Sequence, residues 1–354
     1  MSNRPCRPPR RRWPIHVLPL LAGLALAACD SAPPDPTVRL TGATMGTSYE
    51  LKLVPAPGQT VPTDLQARID KMLAHINRQM STYDPDSELS RFNQNPSTDW
   101  IAVSPELQQV VAEGLRIGEL SGDAFDITVG PLVNLWGFGP EPRRDAVPSA
   151  TAIAQARERV GDWRLHARAE PPALRKDRPD LYVDLSAMAK GYGVDRMVAL
   201  IEAAGVGDYL ASIGGEIRVR GRNGRGEPWT IAIEKPEAGQ RSVERLIRLG
   251  DHTVSTSGNY RNFFEQNGQR YSHVINPRTG WPVPHTLASV TVIGDRSMVA
   301  DATATALLAA GPELGFQLAS EHHLAAFFVL IESDGGFKER FTPEFEPYLL
   351  PQQP

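Results

Sequence analysis

Leu181-Tyr182-Val183-Asp184-Leu185-Ser186-Ala187-Met188-Ala189-Lys190-Gly191-Tyr192-Gly193, with its continuation to Arg220, decides the fold. Leu181 to Leu185 reads as a strand, Met188 to Ala204 as a helix, and Tyr209 to Ile213 as a second strand ending at Gly214-Gly215. Ile217 to Arg220 and Trp229 to Glu234 then read as hairpin strands around Gly221, Gly224 and Gly226. Parallel strands need long crossovers, whereas hairpin strands pair antiparallel, so helices mixed with hairpins point to an α+β fold. The three glycines lack the spacing of a dinucleotide fingerprint, and no helix follows them. A phosphate loop ending in Gly-Lys-Ser or Gly-Lys-Thr is also absent from the sequence.

Outward from this segment, helices and strands stay mixed. Thr47 to Val54 alternates as a strand does, and Leu65 to Met80 has helical spacing through Leu65, Ile69, Met72, Leu73 and Ile76. Leu107 to Leu120 and Ala150 to Val160 read as further helices, followed by a Pro-rich, charged excursion from Arg168 to Asp180. Downstream come a strand over Thr286 to Ile293, helices over Ser297 to Ala310 and Pro312 to Ser320, and a strand over Ala325 to Glu332. Residues 39–345 are expected to form the folded region and 346–354 a C-terminal tail. Repeats, coiled-coil heptads and low-complexity tracts do not stand out.

The first residues follow the charge and hydropathy order of a secretion signal. Arg7, Arg10, Arg11 and Arg12 precede an apolar run from Val17 to Ala28, too short to span a membrane comfortably. It ends in Leu26-Ala27-Ala28-Cys29, which resembles a lipobox, so residues 1–28 are expected to be a signal peptide and Cys29 the lipidated residue. Asp30 resembles an inner-membrane retention signal, and residues 29–38, Pro-rich from Ser31 to Pro36, read as a tether. The expected location is therefore the periplasmic face of the inner membrane. Processing would remove Cys6 and consume Cys29, leaving no disulfide. It would also remove five arginines and take the formal charge from −4 to −9. That balance argues against nucleic-acid binding, which needs clustered positive charge.

Three segments carry the chemistry. Asp184 to Gly193 runs into a helix start, where free N–H groups and the helix dipole favour a phosphate and Lys190 adds a full charge. A plainer reading has Ser186 capping the helix, Asp184 favouring its dipole and Lys190 solvated. Asp301 and Thr305 are four residues apart on one helix face, a carboxylate and a hydroxyl of the kind magnesium prefers. The plainer reading there is an acid in a first turn beside a threonine bonded to the preceding turn. His273 stands before an Asn276-Pro277 turn, where it is either structural or able to deprotonate a hydroxyl.

Together, Asp184 to Gly193, Tyr271 to Gly280 and Ala300 to Leu308 resemble the FAD:protein FMN transferases, the ApbE family. Thr44-Met45-Gly46-Thr47, Met80-Ser81-Thr82-Tyr83, Ser87 to Asn93, Ala124 to Leu132, Ile213-Gly214-Gly215-Glu216 and Ser255-Thr256-Ser257-Gly258 carry the resemblance further, in order from about Leu40 to Leu330. It implies mixed sheets with flanking helices in two lobes and FAD in the cleft between them. Met45, Tyr83, Ala124, Phe125, Asp126, Asp184, Lys190 and Ile275 fall at family flavin-contact positions. Magnesium is implied at the Ala187 carbonyl, the Asp301 carboxylate and the Thr305 hydroxyl, with Ala304 close by.

The implied reaction is magnesium-dependent transfer of FMN from FAD to a Ser or Thr hydroxyl, releasing AMP. Asp301 would serve as the metal-binding catalytic residue and His273 as the base. Implied acceptors are extracytoplasmic membrane flavoprotein subunits bearing a flavinylation motif, such as those of sodium-pumping quinone reductases. Two alternatives stay open: an FAD pyrophosphatase that gives FMN and AMP, and a non-enzymatic periplasmic flavin-binding lipoprotein.

Overall fold

Side chains along Thr47 to Val54 alternate between buried and half-buried positions, and that period of two seats the strand in the main sheet. The structure is a computed structural model that describes residues 35–351, apart from 142–144, 238, 240, 241, 284 and 285. The expected signal peptide, Cys29 and Asp30 lie outside the described residues.

The first half of the chain comprises β1 (Val38–Thr44), β2 (Thr47–Val54), α1 (Leu65–Met80), α2 (Glu88–Gln94), β3 (Ile101–Ala102), α3 (Pro105–Leu120), α4 (Gly130–Leu135), α5 (Ala150–Arg157), β4 (Leu165–Arg168) and β5 (Ala173–Lys176). The second begins with α6 (Ala189–Ala203), β6 (Asp208–Ile213), β7 (Glu216–Arg220), β8 (Thr230–Glu234), β9 (Val243–Arg248) and β10 (Thr253–Gly258). It continues with β11 (Phe263–Gln266), β12 (Gln269–Ser272), β13 (Leu287–Gly294), α7 (Ser297–Ala310), α8 (Pro312–Glu321), β14 (Ala325–Ile331) and β15 (Phe337–Phe341).

The main sheet has eight strands in the order β1-β2-β6-β7-β10-β13-β14-β15. Every neighbouring pair in it is antiparallel, which makes the architecture α+β. On one face, Leu65, Ile69 and Leu73 of α1 and Val194, Met197 and Ile201 of α6 bury against Tyr49, Leu51 and Leu53 of β2. Each such side chain contributes about 1.5–3 kcal/mol of burial. Farther along the sheet, Ala300, Ala304, Leu307 and Leu308 of α7 pack on Val290 and Val292 of β13. Trp229, Ile231, Ile233 and Ile247 of the β8–β9 hairpin belong to another core, with Val254, Phe327 and Phe345. A fourth core joins α2 and α3 to Leu165, Leu174 and Met188.

Several expectations need correction. Leu181 to Leu185 is not a strand: the Asn93 side chain takes the place of a strand partner, accepting from Val183 N at 2.8 Å and donating to Val183 O at 2.9 Å. The excursion from Arg168 to Asp180 contains half of the β4–β5 hairpin. The expected hairpin between Ile217–Arg220 and Trp229–Glu234 reduces to a single Arg222–Pro228 bridge at the glycine turn. β7 instead pairs with β6 and β10, while β8 pairs with β9. The helix from Ala150 stops at Arg157, three residues short of Val160. Packing also runs past the expected boundary at 345, since Leu349 bridges Ile247 and Leu350 N donates to Leu246 O at 3.1 Å.

Candidate active site

The first turns of α6 and α7 meet. A Cβ added to Gly191 would stand 2.3 Å from the Ser297 carbonyl oxygen and 2.7 Å from Met298 Cα, so only glycine permits this approach. Asp195, one turn farther along α6, accepts from the N–H groups of Ser297 at 2.7 Å and Met298 at 3.1 Å. One helix thereby caps the other, satisfying amides that Arg296, the cap position of α7, leaves open. This junction brings Ala187 and Lys190 to Asp301 and Thr305.

Asp301 is buried. Its Oδ2 accepts from Gly191 N at 3.0 Å, and Lys190 Nζ lies 3.3 Å from each of its oxygens. The same ammonium is closer to Glu216 Oε1, at 2.7 Å. Burial raises the Asp301 pKa, the Glu216 charge adds to the rise, and Lys190 opposes it. Burial works against the Lys190 ammonium, but Asp301 and Glu216 outweigh it and hold the lysine charged. The reading of Lys190 as a solvated side chain is therefore set aside.

Thr305 shares a 2.8 Å hydrogen bond with the Ser257 hydroxyl rather than bonding back to its own helix. The Gly191 N–H that a regular helix would aim at the Ala187 carbonyl goes to Asp301 instead, so that carbonyl is not taken up. Carboxylate, hydroxyl and main-chain carbonyl are three hard oxygens, and the Glu216 Oε2 beside them is buried without a partner. This donor set fits magnesium. Among the described residues no group of three or more His, Cys, Asp or Glu side chains could hold a metal, so a cation here relies on these mixed oxygens. Ala304, expected close by, directly precedes Thr305 on α7, with its side chain buried among Val290, Val292 and Leu307.

The other residues expected to hold flavin, metal or the acceptor's proton line one cleft of about 1220 Å³. Met45 sits at its wall in a two-residue turn with Gly46, both at positive φ, 48° and 71°. Tyr83 is 65% exposed at the mouth, its hydroxyl donating to the Phe138 carbonyl at 3.4 Å. Burial, then the Asp184 charge, raises its pKa. Ala124, Phe125 and Ile275 supply buried apolar wall.

Two acids of the cleft are also engaged locally. Asp126 directs its carboxylate inward, accepting from Thr128 N at 2.7 Å, Thr128 Oγ1 at 2.6 Å and Asp162 N at 3.2 Å. It organises the loop that carries Ala124 and Phe125. Burial raises its pKa against the pull of the Thr128 bonds. Asp184 accepts from Ser186 N at 2.8 Å in a local turn, and Ser186 is not the cap of α6, which starts after Met188 without a side-chain cap.

His273 is half-buried in the cleft wall. Its Nδ1 lies 3.1 Å from the Asn262 carbonyl, which can only accept, so Nδ1 carries the proton and Nε2 keeps its lone pair. Burial lowers the His273 pKa, with the charge of Lys190 adding and the Asn262 bond opposing, which keeps the ring neutral near pH 7. Sequence reasoning missed the partners: Asp195 behind α7, Ser257 on Thr305 and Asn262 on His273. Glu216 stood in a matching segment, but its pairing with Lys190 comes from the β6–β7 turn.

An antiparallel α+β unit with oxygen donors gathered where two helices start, at one large cleft, defines a class. The chain belongs to the ApbE family, whose description matches residues 45–328. Among curated relatives, the FAD:protein FMN transferase of Vibrio cholerae serotype O1 is 46% identical over 339 residues, 96% of this chain and 99% of that protein. The FAD:protein FMN transferase of Escherichia coli K12 is 39% identical over 346 residues, 96% of this chain and 98% of that protein. Among solved structures, the flavin transferase ApbE of Vibrio cholerae superposes with a TM-score of 0.82, covering 88% of this chain and 99% of that one at 46% identity. The apo flavinyl transferase ApbE of Pseudomonas stutzeri gives 0.80, with 88% and 96% covered, at 39% identity.

Proposed function

We propose that this chain is a magnesium-dependent FAD:protein FMN transferase that joins FMN to a Ser or Thr hydroxyl of a target protein and releases AMP. One observation carries the reading: Ala187, Lys190, Asp301 and Thr305 line the same cleft as His273 and the flavin-wall residues Met45, Tyr83 and Phe125. Its volume of about 1220 Å³ exceeds the ~300–1,000 Å³ usual for a small-molecule site, leaving room for a dinucleotide and an incoming side chain.

Asp301, Thr305 and the Ala187 carbonyl would hold magnesium, which when bound supplies positive charge to the pyrophosphate and the departing AMP. Tyr83 offers a flat face to a ring at the mouth. Lys190 adds an ammonium to the phosphate end. His273, with Nδ1–H tied to Asn262, presents Nε2 to take the acceptor's proton as its oxygen bonds to the FMN-side phosphorus. The bond from that phosphorus to the bridging oxygen breaks, and AMP leaves with the electron pair.

The arginine-rich front end, the run from Val17 to Ala28 and Cys29 support a lipid-anchored form at the periplasmic side of the inner membrane. Among the described residues no helix is long and apolar enough to cross a membrane. Tethering there would place the cleft at the membrane face where extracytoplasmic flavoprotein subunits stand.

Asp301→Ala tests the reading. With FAD, magnesium and a threonine-bearing acceptor, it should lose covalent flavin transfer while keeping the parent's circular dichroism. Undiminished transfer by a folded variant would refute it. Free FMN in place of flavinylated acceptor, made by the parent, would favour the pyrophosphatase.

A further inference from the structure

Lys190, Glu216 and Asp301 form a triad in which one ammonium faces two buried carboxylates. Nζ is 2.7 Å from Glu216 Oε1 and 3.3 Å from both Asp301 oxygens, so the lysine already leans toward glutamate. Both carboxylate side chains are 4% exposed. Glu216 Oε2 is buried and has no partner, whereas Asp301 Oδ2 is also held by the Gly191 amide. The turn before Glu216 runs through Gly214 at φ +58° and Gly215 at φ +109°, backbone that glycine adopts readily, and it sets Glu216 beside Lys190.

An ammonium has three donors, and here it occupies the carboxylate that a divalent cation would need. Two cations on one buried carboxylate repel strongly in a low-dielectric site. Arrival of the metal therefore requires somewhere for Lys190 to go, and Glu216 supplies a full negative charge with a spare acceptor oxygen within reach.

We propose that Lys190 is a stand-in for the divalent cation at Asp301 and that Glu216 is the positioning residue that draws Lys190 off Asp301 when the cation binds. Lys190 then donates to both Glu216 oxygens and keeps its third N–H for an anionic substrate in the cleft. Loss of the Glu216 charge leaves Lys190 locked on Asp301, where it competes with the metal. The inference rests on the cation site of the proposed function and concerns binding in the absence of any flavin.

The test is Mn2+ binding to FAD-free protein, followed by electron paramagnetic resonance, for the parent, Glu216→Gln, Lys190→Met and the double variant. Glu216→Gln should weaken Mn2+ binding at least tenfold, while in the Lys190→Met background the same change should alter it less than threefold. An equal loss in both backgrounds would show that Glu216 acts on the cation directly and overturn the inference. Parent-like binding by Glu216→Gln would overturn it too, and in either case the cation site itself would stand. No Mn2+ bound to the parent would sink both readings. A second measurement needs no variant: in a crystal of the parent soaked with Mn2+ alone, Lys190 Nζ should contact both Glu216 oxygens and have left Asp301. A lysine still on Asp301 beside a bound cation would contradict the proposal.

Discussion

The backbone amide of Gly191 donates to Asp301 Oδ2 at 3.0 Å and thereby fastens the first turn of α6 to the second turn of α7. The bond exists because glycine lets the two helix starts approach within backbone contact. A Cβ at position 191 would meet main-chain atoms of Ser297 and Met298, which cannot swing aside as a flexible side chain can.

Gly191→Ala should therefore act on stability and on the site together. Overpacking of this kind costs about 1–3 kcal/mol, visible as a lower melting temperature. It should also weaken Mg2+ binding by about tenfold, because pushing the helices apart separates the Ala187 carbonyl from Asp301. Parent-like melting and Mg2+ affinity, measured by calorimetry, would show that the junction is not what aligns the donors.

As the proposed base, His273 should set an acid limit on FMN transfer. Burial lowers its pKa below the ordinary 6.5, so the neutral ring persists to more acid pH than a free histidine would allow. Protonation removes the Nε2 lone pair, so single-turnover FMN transfer should fall as pH drops through that lowered pKa and stay level above 6.5 as far as this group is concerned. His273→Ala should lose about 10²–10⁴-fold in rate, and the acid limb with it. A variant that keeps the limb would assign it to another group.

Asp162 ties pH to stability away from the chemistry. Burial, then repulsion from Asp126 and Asp123, pushes its pKa up to about 7. The folded state thus holds a proton that the unfolded chain releases near the ordinary 3.8. The stabilisation is complete below that lower value and is lost as pH rises through about 7. Asp162→Asn should melt higher than the parent at pH 8 and gain little at pH 4. Equal melting differences at the two pH values would contradict the assignment.

What the sequence made legible follows from where the information is local. α1 has its expected bounds because a 3.6-residue apolar period over four turns has few competing explanations, while α7, buried on nearly every side, keeps its bounds through its run of helix-forming alanines. The Asp301–Thr305 pair was readable for the same reason, since helical spacing alone puts both on one face. Leu181 to Leu185 misled because the backbone of Val183 is satisfied by the Asn93 side chain, a partner some 90 residues away that no local pattern reveals, and Asp184 N by the Ile127 carbonyl. The same holds for Asp195 capping α7 and for Glu216 meeting Lys190, which depend on how α6, α7 and the β6–β7 turn converge. The small Ala304 side chain suits the close packing of α7 on β13.

The central claim is that the cleft uses a cation at Asp301 and Thr305 to move FMN from FAD onto a protein hydroxyl. The most direct measurement is intact-mass spectrometry of a threonine-bearing acceptor after incubation with purified protein, FAD and Mg2+, with AMP quantified in the same sample. The acceptor should be heavier by one phosphoester-linked FMN, with one AMP per flavin attached, and neither product should form when EDTA replaces Mg2+. An unmodified acceptor with intact FAD, or full modification in the presence of EDTA, would contradict it.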